Sequence, residues 1–412
     1  MKILILTQWF QPEPMFKGLP FAKALHQKGH RVEVLTGFPN YPSGYLYPGY
    51  KLRLLQKEKI NDIPVIRTFL YPSHNSNKIL RALNYLSFSF SSALVGGLSI
   101  ERPDVIYAYH PPATIMLPAS LIKIAYNAPI VLDIQDMWPD TLLSTDMVKN
   151  KIMLKTLDYT CRLFYALADR IVVLSPGFKK LLVSRGVPED KIDIIYNWCD
   201  EENLFNNNLK KMQLPWPKDK FTIVYAGNLG RAQGLSSVLK AAKIIAEKDK
   251  AIQFVFIGNG VEADELVQLS KELNLDNVLF IPQKKPSEIG PFLRASDALL
   301  VHLKNDPLFS ITIPSKTQTY MAVGRPIIMA VKGDAAEIIK KAEAGICCEP
   351  EKPENIAEAI MKLKNMDKEK LERMGRNGYD YYINNFSFNS GVNKFEKIFL
   401  DILLSSGKIK FI

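Results

Sequence analysis

"FTIVYAGNLGRAQGLSSVLKAAKII", residues 221 to 245, holds a strand, a glycine turn and a helix start in one short span. The opening run is apolar, β-branched and aromatic, and reads as a strand ending at Ala226. Gly227, Gly230 and Gly234 permit a tight turn, and "SSVLKAAKII" begins a helix with apolar residues at helical spacing. Such a unit points backbone N–H groups past the strand end, where Arg231 also stands, and a diphosphate fits that arrangement. Turn formation alone also explains the glycines.

The same logic recurs outward from this stretch. "VFIGNGVEADEL" (255–266) is a strand followed by Gly258, Asn259 and Gly260 and then an acidic helix start. "IPSKTQTYMAVGRPII" (313–328) places Ser315 at the start of a short helix with Lys316 beside it, a second place where backbone N–H groups and a cation converge. Further strands are read at 2–7, 31–36, 65–70, 105–109, 129–134, 170–175 and 192–197, then at "NVLFIP", "ALLVHL", "PIIMAV" and "GICCEP". Apolar strands alternating with amphipathic helices predict parallel sheets covered on both faces.

The polar, Asn-rich and proline-broken segment 200–220 reads as a linker. The expected architecture is therefore α/β, with two doubly wound Rossmann-like domains facing across a cleft and ligand edges at the carboxyl ends of the strands. The predicted boundaries are 1–200 for the first domain, 201–385 for the second, and 386–412 for a C-terminal helix crossing back to the first. In the first domain, "PEPMFKGLPFAKAL" (12–25) lacks the GxGxxG spacing, which disfavours a nicotinamide site.

The chain has 412 residues, too many for one compact core, and its composition is that of an ordinary globular protein. Its net charge of +11 suits phosphates, nucleotides or an anionic membrane, although surface lysine is also common; nucleic acid is not expected as a partner. The start, "MKILILTQWF", reads as a strand rather than a signal peptide. Cys161, Cys199, Cys347 and Cys348 show no metal or disulfide spacing, which suits a reducing cytoplasm. Residues 78–100 carry no charge between Arg81 and Glu101 but are diluted by serines and glycines. A spanning helix is disfavoured there; a buried core helix and an interfacial helix both fit.

"GNLGRAQGL", "FIGNG", "RASDALLVHL", "PSKTQTYMAVGRPI" and "IIYNWCDEENLF" together resemble glycosyltransferase family 4, of GT-B fold, over nearly the whole chain. "GHRVEVLTGFPNYPSG" and "VLDIQDMWPD" are similar to a branch that builds bacterial surface polysaccharide and includes L-fucosamine transferases. The resemblance implies a retaining transferase with a nucleotide-sugar donor on the second domain and an acceptor on the first. It implies donor contacts from Gly227, Asn228, Arg231, Gln233, Gly258, Asn259, Gly260, Ser315, Lys316, Gln318 and Thr319.

Two departures stand out. Many members carry an Arg and a Lys where this chain has Asn228 and Gln233, which leaves Arg231 and Lys316 as replacements. Many also hold the ribose with a Glu; Thr319 occupies that position, and Gln318 or Thr319 is the neutral substitute. The loss of those charges fits either a branch-specific donor site or a catalytically inactive nucleotide-sugar-binding partner; a nucleotide-sugar epimerase on the same fold is a further alternative.

On the first domain, Asp136, His110 and Gln135 are the catalytic candidates, and Glu13, Gly18, Asn40 and Asp133 the acceptor-binding ones. Asp136 is equally readable as a turn cap, His110 as a core histidine, and the aromatics of "FPNYP" as loop packing or a sugar platform. His302 is expected near the donor. No metal or cofactor is expected, because lysine, arginine and helix N-termini would take the cation's place. The expected donor is a UDP-linked N-acetylhexosamine or deoxy-amino sugar. The expected acceptor is an undecaprenyl-diphosphate-linked glycan of O-antigen or capsule, met at the inner face of the cell membrane by a cytoplasmic, peripherally attached enzyme. The sequence says nothing of oligomeric state.

Overall fold

The computed structural model describes residues 1–73, 77–141, 150–205, 214–217 and 219–405. Residues 206–213 and 218 of the linker read from the sequence, and the last residues of the C-terminal stretch, lie outside them. The chain divides into two compact units. The first contains Met1–Leu174, Phe178–Ile195 and Val392–Ile412; the second contains Ser175–Gly177 and Tyr196–Gly391.

The first unit is built on an eight-stranded sheet: β1 (Lys2–Leu6), β2 (Arg31–Gly37), β3 (Leu55–Ile60), β4 (Ile63–Thr68), β5 (Val105–His110), β6 (Ile130–Ile134), β7 (Arg170–Val173) and β8 (Ile192–Ile194). Their order is β3-β4-β2-β1-β5-β6-β7-β8. All neighbours are parallel except β3 and β4, which form an antiparallel hairpin at the edge. The hairpin turns on Asn61 and Asp62, at φ 48° and 67°, a conformation that Asn and Asp tolerate. Strand β3 was not anticipated from the sequence. Its pattern, "LQKEKI", is half-exposed and charged, as suits an edge that must not pair further.

The second unit carries β9 (Phe221–Ala226), β10 (Ile252–Ile257), β11 (Val278–Ile281), β12 (Ala298–His302), β13 (Ile327–Ala330) and β14 (Gly345–Cys347), all parallel, in the order β11-β10-β9-β12-β13-β14. Val224, Val255 and Leu299 enter one core, while Tyr225, Phe254, Phe256 and Leu300 enter the other. Both faces are thus covered, which is why these strands read as unbroken apolar runs.

In each sheet the strand order reverses once, between β1 and β5 and between β9 and β12. Loops leaving the carboxyl ends on either side of such a point diverge and leave a crevice. The helix Phe388–Ser405 runs from the second unit into the first, where Phe395 packs edge-on against Phe21 and Tyr107 at 5.3 and 5.4 Å.

The helix Lys78–Ser91, extended by Ser92–Gly96, buries Asn84, Phe88, Ser89, Ser92 and Gly96 and exposes Ile79, Leu83, Leu86, Phe90 and Leu94. It is therefore neither wholly core nor wholly surface. No helix among the described residues is long and apolar enough to cross a membrane.

Candidate functional site

At the crevice of the second unit lies a pocket of about 570 Å³. Its walls come from the ends of β9 (Ala226, Gly227, Asn228) and β10 (Ile257, Gly258, Asn259), from Gln233, and from the start of the helix Ser315–Val323 (Ser315, Lys316, Thr319). Eight of the eleven donor candidates thus share one cavity, although they come from three separate stretches of chain. Gly258 must be glycine for a steric reason: a Cβ there would lie 1.9 Å from the carbonyl oxygen of Gly227.

Lys316 dominates the electrostatics. Its ammonium sits 4.7 Å from the centre of the Tyr225 ring, and burial pulls its pKa down to about 8. A Cβ built on Gly227 would come within 2.8 Å of Nζ, so that glycine makes the room the lysine occupies. No ion pair to Lys316 is found among the described residues. A buried cation among glycine-rich turns, beside a helix N-terminus, has the electrostatics that suit an anion.

The turn itself is held by neutral groups. Gln233 Oε1 accepts from the Gly230 N–H at 3.2 Å and faces Asn228 Nδ2 at 3.4 Å. Below it, His302 is buried, with Nδ1 2.6 Å from the Gln233 carbonyl and Nε2 3.0 Å from the Glu351 N–H. The Glu351 donor requires Nε2 to accept, so Nδ1 carries the proton and donates to Gln233. Burial lowers the pKa of this imidazole and favours that neutral form. His302 positions the turn rather than lining the pocket.

Three donor candidates are not brought to the cavity wall. Arg231 is exposed in the same turn. Gly260 packs close to the Leu229 carbonyl. Gln318 is buried, and its amide nitrogen, correctly oriented, donates back to the Pro314 carbonyl at 2.7 Å. Of the two expected cations, then, only Lys316 lies in the wall, and of the two neutral substitutes only Thr319. The sequence reading missed Gln283 and Lys284, which line the pocket just beyond β11. Their place after a strand end was the available signal.

In the first unit, the four residues read as acceptor-binding are buried and packed or bonded within the protein. Asp133 accepts from Lys17 Nζ at 2.7 Å, the Tyr107 hydroxyl at 2.6 Å and Gln135 Nε2 at 2.7 Å, with Lys17 and Asp133 side chains fully buried. Glu13 accepts the N–H groups of Phe10, Asn40 and Tyr41 at 3.1, 2.7 and 2.8 Å. Burial still pushes its carboxyl up to about 7, against those bonds. Asn40 also contacts Phe38 and Asn84. Gly18 is covered by Gln11, whose Oε1 accepts the Leu19 N–H at 2.7 Å and so occupies the helix start.

The catalytic candidates differ from one another. Gln135 is tied to Asp133. His110 is 2% exposed, and neither ring nitrogen has a hydrogen-bond partner among the described residues. Asp136, two residues beyond β6, is half-buried, and burial alone raises its carboxyl above the ordinary range.

Two family models match successive parts of the chain: one described as Glycosyltransferase Family 4 over residues 20–203, and one described as Glycosyl transferases group 1 over residues 206–381. The chain is a family 4 glycosyltransferase, of GT-B fold. It is similar to the probable glycosyltransferase WbjE of Pseudomonas aeruginosa, at 26% identity over 76% of this chain and 81% of that one. It is also similar to the putative colanic acid biosynthesis glycosyl transferase WcaI of Escherichia coli K12, at 25% identity over 87% and 91%. Among solved structures, Anabaena HepE in complex with UDP and glucose superposes with a TM-score of 0.64 at 18% identity, covering 97% of this chain and 99% of that one.

In this glycosyltransferase the two positions that many family members fill with Arg and Lys hold Asn228 and Gln233, which close the turn between themselves. Thr319, which stands where the resemblance implies a Glu, directs its hydroxyl to the Ser315 carbonyl at 3.1 Å.

Proposed function

We propose that this family 4 glycosyltransferase moves a sugar from a nucleoside-diphosphate sugar, UDP-linked, onto a lipid-linked glycan of cell-surface polysaccharide, with retention of anomeric configuration. The observation that carries the reading is Lys316, a buried ammonium in the wall of a glycine-lined pocket, with no ion-pair partner among the described residues. UDP is the nucleotide in the HepE complex, and colanic acid biosynthesis is the role in the name of WcaI.

The residues divide the work. Lys316 and the N–H groups at the start of Ser315–Val323 receive the diphosphate. They stabilise the charge that gathers on it as the anomeric carbon–oxygen bond breaks. The departing phosphate oxygen takes the proton of the acceptor hydroxyl that bonds to the anomeric carbon. Ile257, Ile289 and Leu293 offer the nucleoside an apolar side, and Gln283 a polar edge. Among the described residues two lysines and no carboxylate line the pocket, a donor set that suits a diphosphate better than a divalent cation.

The acceptor side is proposed to meet a membrane at its cytoplasmic face, through the exposed apolar stripe of Lys78–Ser91 and its extension. Mass spectrometry of the acceptor tests the whole reading: purified protein is incubated with UDP-sugars and an undecaprenyl-diphosphate-linked glycan, with and without EDTA. Elongation that survives EDTA and is lost in Lys316→Ala supports it. Donor isomerisation without acceptor, or donor binding without turnover, overturns it.

A further inference from the structure

The turn after β9 brings no charge of its own to the pocket wall. Asn228 and Gln233 are neutral, and Arg231 is exposed outside the wall. Such a turn contributes backbone and amide dipoles, and their worth depends on how firmly they are aimed before the ligand arrives. Its first half is anchored by the backbone: the Leu229 N–H donates to the Asn259 carbonyl at 2.8 Å, and the Glu262 N–H to the Leu229 carbonyl at 2.9 Å. Its second half hangs on the end of β12, where the Lys304 N–H donates to the Ala232 carbonyl at 3.0 Å and His302 Nδ1 to the Gln233 carbonyl at 2.6 Å.

His302 is 1% exposed, and both its ring nitrogens are committed. Nε2 accepts the Glu351 N–H at 3.0 Å, and an unusual backbone turns that N–H inward. Glu351 has φ 58°, in the left-handed region that a residue with a Cβ enters only at a cost. Its carboxylate, accepting the Asn305 N–H at 2.7 Å, helps to hold it there. A histidine that only fills space calls for no such arrangement. On the other side, Gly234 at φ 56° brings the turn so near that a Cβ would lie 3.3 Å from His302 Cε1. The ring is wedged between two left-handed residues, one after β14 and one in the glycine turn. The first fixes its tautomer, and the second belongs to the turn that the other nitrogen grips. Gln233 passes the grip on. Its carbonyl is held by His302 while its side-chain oxygen accepts the Gly230 N–H at 3.2 Å, so one residue sets the turn from 230 to 234.

We propose that His302 is a positioning residue for the donor: its Nδ1–H, with the tautomer set by Glu351, fixes Gln233 and so holds the glycine turn in the form that receives the nucleotide diphosphate. The word donor rests on the transferase reading; the hold of the ring on the turn does not.

Three substitutions in the full chain separate the two ring nitrogens. In His302→Asn the side-chain amide stands near the place of Nδ1 and donates to Gln233; in His302→Gln it reaches the place of Nε2 alone; His302→Phe keeps a ring and neither nitrogen. UDP affinity, measured by calorimetry, is expected to stay within about twofold in His302→Asn and to fall about fivefold or more in His302→Gln and His302→Phe. Packing alone predicts the opposite order, with His302→Phe nearest the unmodified protein. That order overturns the proposal, as does affinity kept in His302→Gln or an equal affinity in all four proteins. Hydrogen-exchange mass spectrometry of the peptide covering residues 227–235 is read on the same proteins without ligand. Faster exchange confined to His302→Gln and His302→Phe is expected; equal exchange in all four overturns the hold on the turn. If the unmodified chain binds no UDP, the donor reading falls, and the exchange result alone decides whether the ring holds the turn.

Discussion

Lys316 and Tyr225 are stacked, ammonium over ring, with 4.7 Å between Nζ and the ring centre, and the Tyr225 hydroxyl donates to the Asn228 carbonyl at 2.7 Å. The pair links the helix Ser315–Val323 to the turn after β9, so the cation and the backbone of the glycine turn are presented as one surface. Tyr320 adds a second tie, its hydroxyl accepting the Ala226 N–H at 2.9 Å.

Removing that cation should be felt by the donor and hardly at all by the fold. A charge-assisted contact to a phosphate is worth about 1.5–3 kcal/mol. Lys316→Ala is therefore expected to weaken UDP binding roughly ten- to hundredfold by calorimetry. Arg231 is exposed and outside the pocket wall, where solvent and salt screen its charge. Arg231→Ala should change the affinity by less than about threefold. Equal losses in the two variants would show that the diphosphate lies over the turn rather than against Lys316.

The same lysine gives donor binding a pH dependence. Its pKa in the free protein is about 8, lowered from 10.5 by burial, and a bound diphosphate raises it again. Binding above pH 8 must then take up a proton, so affinity falls as pH rises. With UDP fully ionised throughout, the loss from pH 7 to pH 9 should be about tenfold. Stability runs the other way. The unfolded chain binds more protons than the folded one between pH 8 and 10.5, so this group's contribution to stability grows with pH across that window. Calorimetry in buffers of different ionisation enthalpy reads the proton uptake, and a pH-independent Kd would contradict it.

Asp133 supplies a test of framework against site. Its carboxylate neutralises Lys17 where both side chains are fully buried. Asp133→Ala leaves an ammonium in the core without its partner, which costs about 3–5 kcal/mol, whereas replacing both residues with apolar ones of similar volume is far less damaging. Urea unfolding should show that loss for Asp133→Ala and a partial recovery for Lys17→Met combined with Asp133→Leu. A stable Asp133→Ala protein with a raised acceptor KM would return Asp133 to the acceptor site.

What the sequence disclosed follows from the range over which each signal acts. Strands such as Phe254-Val255-Phe256 are buried on both faces, so their composition alone marks them, and the glycine turns sit at their ends by local necessity. The pocket-lining residues were legible because strand ends converge in a doubly wound sheet. Side-chain direction was not legible. Gln318 and Thr319 are adjacent on one helix, yet about 100° of rotation turns one into the core and the other to the pocket. Partners far apart in sequence were also hidden: nothing near Asp133 announces Lys17, which is 116 positions away. The edge strand β3 escaped because its alternating charged pattern looks like a loop until β4 pairs with it.

The apolar stripe of the first unit makes the membrane reading measurable. Ile79, Leu83, Leu86, Phe90, Leu94 and Leu98 recur at helical spacing, and Phe90 and Leu94 are 56% and 65% exposed. Fully burying one such side chain gains about 1.5–3 kcal/mol, so partial immersion of two supplies more than tenfold in partitioning. A net charge of +11 adds attraction to anionic lipid that salt weakens. The unmodified protein should co-sediment with phosphatidylglycerol-containing vesicles more strongly than with phosphatidylcholine alone. Phe90→Asp combined with Leu94→Asp should reduce that binding at least tenfold. Because both side chains face outward, UDP affinity and melting temperature should stay near the unmodified values. Vesicle binding untouched by the double substitution would move the contact elsewhere, to the exposed Ile152, Tyr159 and Leu163 of the helix Lys151–Leu167.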